Sequence, residues 1–222
     1  MGAGVQIRDA RRAELVAGLE LLRSSLRFGA RDAIPPWLAL ATTEAGGLAL
    51  AAFADRELIG FSYALPALDR AGPHLLSCGL AVAPAWRSRG VGRRLKLAQR
   101  DRALAAGLDR IRWTADPLTA PALRLYLTGL GARLVRYRAD LFDGLRPAAS
   151  DDVEIEWALA GGAPVAPARD AVEIPADPLC RSPAWRRAVR RDMSALLARG
   201  LVGIGVEATG DRRFVRFGEP AR

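Results

Sequence analysis

The sequence has very few of the residues that build disulfide and metal sites. Its 222 residues include two cysteines, one histidine and one lysine, and asparagine does not occur. Cys78 and Cys180 are far apart and form no disulfide framework, which favours a reducing, cytoplasmic location. Because no zinc-ligand spacing is present, we expect no metal cofactor.

Long hydrophobic runs are missing as well. Half of the residues are apolar, yet no stretch of 18 or more lacks charges and helix breakers, so we expect no membrane-spanning segment. The residues that follow Met1 contain no basic segment leading into a hydrophobic one, and we therefore expect no secretory signal. A chain of 222 residues predicts one large domain, or one domain with an appendage.

The charge is strongly positive but is not concentrated in one place. The formal net charge is +9, and it comes almost entirely from arginines spread along the chain. Together with abundant alanine, glycine and proline, this is typical of GC-rich coding and does not indicate a nucleic-acid partner. No helix-turn-helix or RNA-binding aromatic pair is present. Nucleic acid as the principal ligand stays a minor alternative, which predicts binding that weakens steeply with salt.

The most informative feature is a strand–turn–helix segment between Leu80 and Leu95. An apolar strand is followed by a short basic turn, and a helix begins at the second of two glycines, Gly90 and Gly92. The first N–H groups of a helix have no intrahelical partner and carry partial positive charge, so they attract phosphate. The turn adds arginines at positions 87, 89, 93 and 94. This pattern predicts a pyrophosphate-binding site.

Two common phosphate loops do not fit this segment. A P-loop would require Lys and then Ser or Thr after Gly92, where the chain has two arginines. The dinucleotide fingerprint would require a third glycine, where the chain has Leu95. The spacing that fits is Gln/Arg-x-x-Gly-x-Gly/Ala, matched by Arg87-Ser88-Arg89-Gly90-Val91-Gly92. On these residues the sequence resembles the GNAT acyltransferases, whose motif holds the pyrophosphate of coenzyme A.

The resemblance implies an α/β (α+β) fold in which a mixed central sheet is flanked by helices. We expect an acyl-CoA-binding core at 1–144 and a C-terminal extension at 145–222, packed on the same domain or extending it. The extension is predicted to contain a strand, a helix and a β-hairpin. Its pattern is similar to that of a subgroup of bacterial predicted acetyltransferases, a likeness that points to no substrate.

Periodicity predicts the individual elements. A stripe of four leucines indicates a first helix with Asp9 as its N-cap, and a later helix is predicted from Asp116 to Leu127. In the extension, residues 153–159 alternate like an exposed edge strand, and Ser182 is the predicted N-cap of a helix. Two closing strands are predicted after that helix.

The resemblance also implies a reaction and its co-substrate. GNAT enzymes transfer an acyl group directly from a coenzyme A thioester to an acceptor, usually an amine, so we expect acetyl-CoA and a small-molecule or peptide amine. The pantetheine arm is expected to pair with main-chain groups beside the fourth strand. The implied cofactor-binding residues are Leu80, Ala81, Val82, Arg87, Ser88, Arg89, Gly90, Val91, Gly92 and Arg93.

Two residues are candidates for proton transfer. Tyr126 ends the family-like sequence Ala-x-x-Leu-Tyr and is the candidate general acid, but it precedes Gly131 by five positions where four are usual. One residue rotates an α-helix by about 100°, so the alternative is a packed helix tyrosine. The strand at 75–82 has no carboxylate, which leaves His74 as the candidate base or as an exposed loop histidine. Cys78 is a candidate nucleophile or a small buried thiol.

Several choices stay open at this point. A coenzyme A-binding protein of the same fold with little catalysis is the alternative function, motivated by the missing carboxylate and the displaced tyrosine. The acceptor pocket is expected to involve residues 31–45 and the Phe61-Ser62-Tyr63 strand, with the C-terminal extension as a further option. The sequence identifies neither the acceptor nor the oligomeric state, and a homodimer is one option.

Overall fold

The computed structural model describes residues 4–26, 33–143, 151–161, 165–177, 179–180 and 182–220. The chain forms two compact units, Met1–Ile111 and Arg112–Arg222. Both units combine helices with β-strands, so the α/β fold class is confirmed. None of the helices in these described ranges is long and apolar enough to cross a membrane.

The first unit is an antiparallel sheet with helices on both faces. Its strands lie in the order β1-β2-β3-β4. Strand β5, Arg110–Ala115, begins in this unit and continues into the second. The other elements are β1 Val5–Asp9, α1 Leu15–Leu26, α2 Pro36–Glu44, β2 Leu48–Ala54, β3 Glu57–Asp69, β4 Gly72–Val82 and α3 Val91–Ala105.

Both faces of this sheet are buried. Successive side chains of a strand point to opposite faces, and alternate residues of β2 accordingly join different hydrophobic clusters. Ala49 and Ala51 pack on the side of α1, whereas Leu50 and Ala52 pack on the side of α3. The helix α1 buries three of its four predicted leucines, and Leu26 stays 39% exposed. The largest side chains in the two clusters are Leu15, Leu19, Leu22, Phe61 and Tyr63 on the α1 side, and Leu50, Ile59, Val91 and Leu95 on the α3 side.

Strand β4 carries a β-bulge at Cys78. Tyr63 of β3 pairs with Gly79, but the next residue, Ala64, pairs with Ser77, so Cys78 is the extra residue. A bulge disrupts the ladder locally and re-aims the side chains beside it. Here Cys78 packs with the α1 cluster, whereas Ser77 accepts a hydrogen bond from α3.

The second unit has a sheet whose strand order differs from the chain order. The order is β5-β7-β6-β9-β10-β8. The predicted closing hairpin is confirmed as β9–β10, and Ser182 caps α5 as predicted, accepting a bond from the Trp185 N–H at 3.5 Å. The elements are α4 Ala120–Leu123, β6 Arg133–Arg138, β7 Asp152–Ala158, β8 Asp170–Ile174, α5 Pro183–Ala198, β9 Val202–Thr209 and β10 Arg212–Gly218.

A buried carboxylate ties α5 to the chain around β6 and β7. The side chain of Asp151 is fully buried, and its two oxygens lie 2.5 and 2.9 Å from the guanidinium of Arg190. The Tyr137 hydroxyl and the Asp140 N–H also donate to this carboxylate, at 2.7 and 3.1 Å. Arg190 reaches the Asp140 carboxylate as well. Hydrogen-bond donors on a strand, a turn and a helix therefore satisfy the buried carboxylate.

Three expectations about individual elements are wrong. Asp9 does not cap α1, because a 3₁₀ turn at Arg12–Glu14 precedes the helix and the Arg11 N–H donates to the Glu14 carboxylate at 2.7 Å. The helix predicted from Asp116 begins only at Ala120, since the Asp116 carboxylate accepts the Leu118 N–H and forms a turn instead. Strand β7 is not an edge strand, because it lies between β5 and β6 and is largely buried.

Candidate active site

The turn between β4 and α3 has the backbone geometry of an anion-binding site. Ser88 and Gly90 have positive φ angles of 59° and 80°. Gly90 is the N-cap of α3, and among the described residues no side chain caps the helix there. The first intrahelical bond runs from the Arg94 N–H to the Gly90 carbonyl at 3.0 Å. The N–H groups that precede it in the first turn, such as those of Val91 and Gly92, are therefore placed to donate hydrogen bonds to an anion.

The space in front of this turn is open. A Cβ placed on Gly90 would meet no described atom within 4 Å. Arg87 and Arg89 are both exposed and are held by the turn itself. The Arg87 Nε donates to the Val82 carbonyl at 3.1 Å, and the Arg89 guanidinium lies 5.4 Å from the centre of the Trp86 ring. These contacts keep two positive charges beside the first N–H groups of α3, as a diphosphate site requires.

The predicted cofactor residues of β4 are core residues by their side chains. Leu80 and Val82 pack with the cluster under α3, whereas Ala81 packs on the α1 side. Their main chains pair with β3 along one edge of the strand, where Leu80 is opposite Ser62. The predicted contact of these residues with a pantetheine arm would therefore be made by their main-chain groups.

His74 lies at the other end of β4. It is 5% exposed and belongs to the strand, so it is not an exposed loop histidine. Its Nδ1 is 3.7 Å from Asp69, whose carboxylate also accepts a bond from Arg110 at 2.9 Å. Eight positions separate His74 from Val82, which is about 27 Å along an extended strand. The structure therefore does not bring His74 to the glycine turn, and its role as a base stays a prediction.

A small cavity reaches Cys78 from the α1 side. It is narrow, with a volume of about 10 Å³, which is room for one water molecule. Ala33 and Ile34 in its wall belong to the segment predicted for the acceptor pocket, of which Arg31 and Asp32 lie outside the described residues. Burial raises the pKa of Cys78 to about 11, so the thiol is protonated at neutral pH and behaves as a small buried group. The lining residues are Leu19, Leu22, Arg23, Ala33, Ile34 and Cys78.

Tyr126 lies in a π-helical segment, Arg124–Gly129, that continues α4. A π-turn is one residue wider than an α-turn and is frequent at functional sites. The wide turn accommodates the extra residue before Gly131, so the unusual spacing does not require a rotation of Tyr126 by one α-helical step. The ring packs edge-to-face on Trp113 with centroids 5.0 Å apart. Burial raises the pKa of Tyr126 to about 12, so its hydroxyl keeps its proton.

Sequence analysis missed a buried polar cluster under α3. Lys96 is 1% exposed, and its Nζ donates to Ser77 Oγ at 2.9 Å. The Ser77 hydroxyl donates in turn to Gln99 Oε1 at 3.2 Å. One signal was available, because Lys96 is the only lysine and is spaced with Gln99 and Ala103 on one face of the helix. Within the described ranges, no group of three histidine, cysteine or acidic side chains is placed to hold a metal ion.

Known proteins show the same fold. The model of the Acetyltransferase (GNAT) family matches residues 17–132. The structure of yncA from Salmonella typhimurium, with its cofactor acetyl-CoA, is 19% identical with a TM-score of 0.59, over 70% of this chain and 94% of that one. The IAA acetyltransferase from Bacillus cereus is 18% identical with a TM-score of 0.55, over 70% and 99% of the two chains.

A third structure is the ribosomal-protein-S18-alanine N-acetyltransferase from Escherichia coli. It is 16% identical with a TM-score of 0.56, over 70% of this chain and 94% of that one. At these identities the three structures establish the fold and not the substrate. No curated protein matches the sequence. The family match covers more than half of the chain and includes the glycine turn, so the chain belongs to the GNAT acetyltransferase family.

Proposed function

We propose that this protein transfers an acetyl group from acetyl-CoA directly to the amine of a small molecule or a peptide. The observation that carries the proposal is the open N-terminus of α3 behind Gly90, with Arg87 and Arg89 beside it. The relatives support it, because yncA was solved with acetyl-CoA and the Escherichia coli relative is named for an alanine acceptor on a ribosomal protein.

Each part of the site has a distinct role in this proposal. The N–H groups of Val91, Gly92 and Arg93 bind the diphosphate, and the main chain of Leu80–Val82 orients the pantetheine arm. Acetyl-CoA supplies an activated thioester. The Tyr126 hydroxyl, which keeps its proton at neutral pH, stabilises the departing sulfur by hydrogen bonding.

The acceptor is proposed to approach from the α1 side of β4. The cavity at Cys78 supports this direction because it opens between α1 and the chain before α2. Its wall is mainly apolar, with Arg23 as the charged member. A cytoplasmic location, a homodimer and a boundary between core and extension near residue 144 stay predictions.

A coenzyme A-binding protein with little catalysis is the second candidate. The distance of His74 from the glycine turn favours it, because β4 offers no other titratable base. Turnover of the wild type separates the two functions, and replacing Tyr126 with Phe tests the role of this hydroxyl. We expect at least a tenfold loss of turnover with unchanged affinity for acetyl-CoA if the protein is an enzyme that uses this hydroxyl. Unchanged turnover would remove Tyr126 from the mechanism.

The first experiment is calorimetric titration of the protein with acetyl-CoA, beside the variant Gly92→Asp. We expect micromolar affinity in the wild type and at least a hundredfold loss in the variant, because the new carboxylate would stand among the N–H groups that bind the diphosphate. Asp at the second position of a helix is favourable, so the variant should fold normally. A wild type that does not bind acetyl-CoA would contradict the proposal.

Gly210→Asp is the matched control for this titration. It adds the same charge at a glycine with φ of 55° in the turn between β9 and β10, where a Cβ meets no described atom within 4 Å. Asp tolerates this backbone conformation better than most residues. We expect wild-type affinity. An equal loss in both variants would mean that net charge, and not the glycine turn, determines binding.

A further inference from the structure

The buried cluster under α3 is unusual because a lysine stands in it with a neutral hydrogen-bond partner. Lys96 lies on the inner face of the helix and donates to the Ser77 hydroxyl of β4. Gln99, one helical turn later, accepts from the same hydroxyl. Ser62 on β3 is also fully buried, and it alternates with Phe61 and Tyr63, which pack on the α1 side. Ser62 therefore turns toward α3 as well.

Two atoms of this cluster have unused hydrogen-bonding capacity. In the part of the chain that the structure describes, Ser62 Oγ and Gln99 Nε2 have no hydrogen-bond partner. Buried polar groups that serve only stability are almost always paired, because each unpaired group costs about 1–3 kcal/mol. The cluster therefore has room to accept and reorient protons, which a fully paired network lacks.

The surroundings of Lys96 favour its neutral form. Burial lowers the pKa of Lys96 to about 7, and the nearby Cys78 acts weakly in the opposite direction. Val5 and Ile7 of β1 and the residues that β2 turns toward α3 are apolar, and β3 contributes the Ser62 hydroxyl. The charged residue that β1 directs to α3 is Asp9, and it is paired with Arg102 in a largely exposed ion pair. On α3 itself, Arg93 and Arg100 lie three positions before and four after Lys96 and reach the surface. A desolvated lysine of this kind is suited to act as a base.

The bulge of β4 brings this cluster next to the cavity. Ser77, which binds Lys96, is followed directly by Cys78, which lines the cavity on the α1 side. The bulge interrupts the β3–β4 ladder between these two residues. The cavity and the buried amine are therefore separated by one disrupted position of a single strand.

We propose that Lys96 receives, through the Ser77 hydroxyl, the proton that the acceptor amine loses during acetyl transfer. The inference rests on the proposed function, because it requires acetyl-CoA and an amine acceptor. The acceptor ammonium gives a proton to Ser77 Oγ while Ser77 passes its own proton to Lys96 Nζ. The freed amine forms a C–N bond with the acetyl carbon, the C–S bond breaks, and the sulfur leaves with the electron pair. Lys96 then returns its proton to solvent.

The first test measures the lysine directly and needs no turnover. Because the chain contains one lysine, ¹³Cε-labelled lysine gives a single side-chain signal in the NMR spectrum. We expect this signal to titrate with a midpoint near pH 7 in the folded protein. A midpoint above pH 9 would mean that Lys96 is charged during the reaction and would overturn the proposal.

The second test compares rates as a function of pH in Lys96→Met and Gln99→Met. Release of the coenzyme A thiol is measured with the best acceptor from a panel of amino acids, polyamines and peptides with free N-termini. We expect the wild-type rate to decline below pH 7, and we expect Lys96→Met to lose at least tenfold in kcat and to lose this decline. Gln99→Met perturbs the same buried cluster without removing the titrating group, so it should keep that decline.

The outcomes separate this inference from the proposed function. Acetyl-CoA affinity is expected to be unchanged in Lys96→Met, because the lysine lies beneath the helix and not at its N-terminus. If Lys96→Met keeps its rate within twofold, or keeps the decline below pH 7, the inference is wrong and the acetyltransferase function stands. If the wild type binds acetyl-CoA but acetylates no amine of the panel, the proposed function fails and the inference falls with it.

Discussion

Two buried charged residues illustrate opposite uses of burial in this chain. Asp151, in the second unit, is surrounded by donors from Arg190, Tyr137 and the main chain. Lys96, in the first unit, donates to the neutral hydroxyl of Ser77, beside a Cys78 thiol that is uncharged at neutral pH. Hydrogen-bond donors stabilise the charged form of Asp151, whereas the surroundings of Lys96 favour its neutral form.

The pKa values follow from this difference. Burial by itself raises the pKa of Asp151, but the hydrogen bonds from Arg190, the Asp140 N–H and Tyr137 outweigh it, so the net pKa is lowered. For Lys96, burial dominates and lowers the pKa to about 7. A buried charge whose charged form is stabilised by hydrogen-bond donors, as at Asp151, contributes to the stability of the fold. A buried amine that gives up its charge near neutral pH is available for proton transfer.

Removal of the partner of Asp151 should have the largest effect. We expect Arg190→Ala to lower the free energy of unfolding by about 3–5 kcal/mol, because it leaves the buried Asp151 carboxylate without its cationic partner. The measurement is urea unfolding at pH 7. Since the folded pKa of Asp151 is lowered, its stabilisation is present at neutral pH and is lost as the pH falls through that folded value, so the difference should shrink in acid.

Arg191→Ala is the control for this prediction. Arg191 is 74% exposed and pairs with its neighbour Asp192 on the same helix. Its removal is expected to change the free energy of unfolding by less than about 0.5 kcal/mol. Similar losses in both variants would show that the Asp151 network contributes no more than a surface pair.

Removal of the amine at Lys96 should have an effect of opposite sign. The folded pKa of about 7 lies below the ordinary value of 10.5, so the unfolded chain binds more protons and stability rises with pH across this window. Lys96→Met removes this penalty. We expect the variant to be more stable than the wild type at pH 7, with a gap that closes by about 1.4 kcal/mol per pH unit as the pH rises.

The measurement is urea unfolding of both proteins at several pH values between 7 and 10. Arg100→Met, a change of the same kind at a side chain that is 40% exposed, should show no such convergence. A gap that stays constant with pH would mean that packing, and not desolvation of an amine, separates Lys96→Met from the wild type.

Loss of a secondary donor to Asp151 should have the smallest effect of the three. Tyr137→Phe removes the 2.7 Å hydrogen bond to the carboxylate but leaves Arg190 in place. We expect a cost of about 1.5–3 kcal/mol in urea unfolding, the usual range for a bond to a charged group. Tyr63→Phe is the comparison, because Tyr63 bonds to the neutral hydroxyl of Thr42 and should cost about 1 kcal/mol or less. A larger loss at Tyr63 would contradict the role assigned to the charge.

The features encoded over a few neighbouring residues could be predicted from the sequence. The glycine turn is one, because the positive φ of Gly90 and the start of α3 depend on local backbone preferences. The cap at Ser182 and the leucines of α1 are others. For the same reason the pyrophosphate motif and the family could be predicted from the sequence alone.

The features that depend on distant partners could not be predicted. The alternation in β7 is compatible with an edge strand or an inner strand, and only its pairing with β5 and β6 decides between them. Lys96 sits among arginines in the sequence, and its burial depends on how α3 is rotated against the sheet. The π-segment around Tyr126 arises from one extra residue, whose effect on a helix no local propensity specifies.

The position of β7 has a consequence for the order in which the chain can fold during synthesis. β5 and β6 are made first, but each is a neighbour of β7 and not of the other. The ribosome must therefore release residues up to about Ala158 before the middle of this sheet can close. Until then β6 has no strand of this sheet to pair with, because both of its neighbours, β7 and β9, are made later.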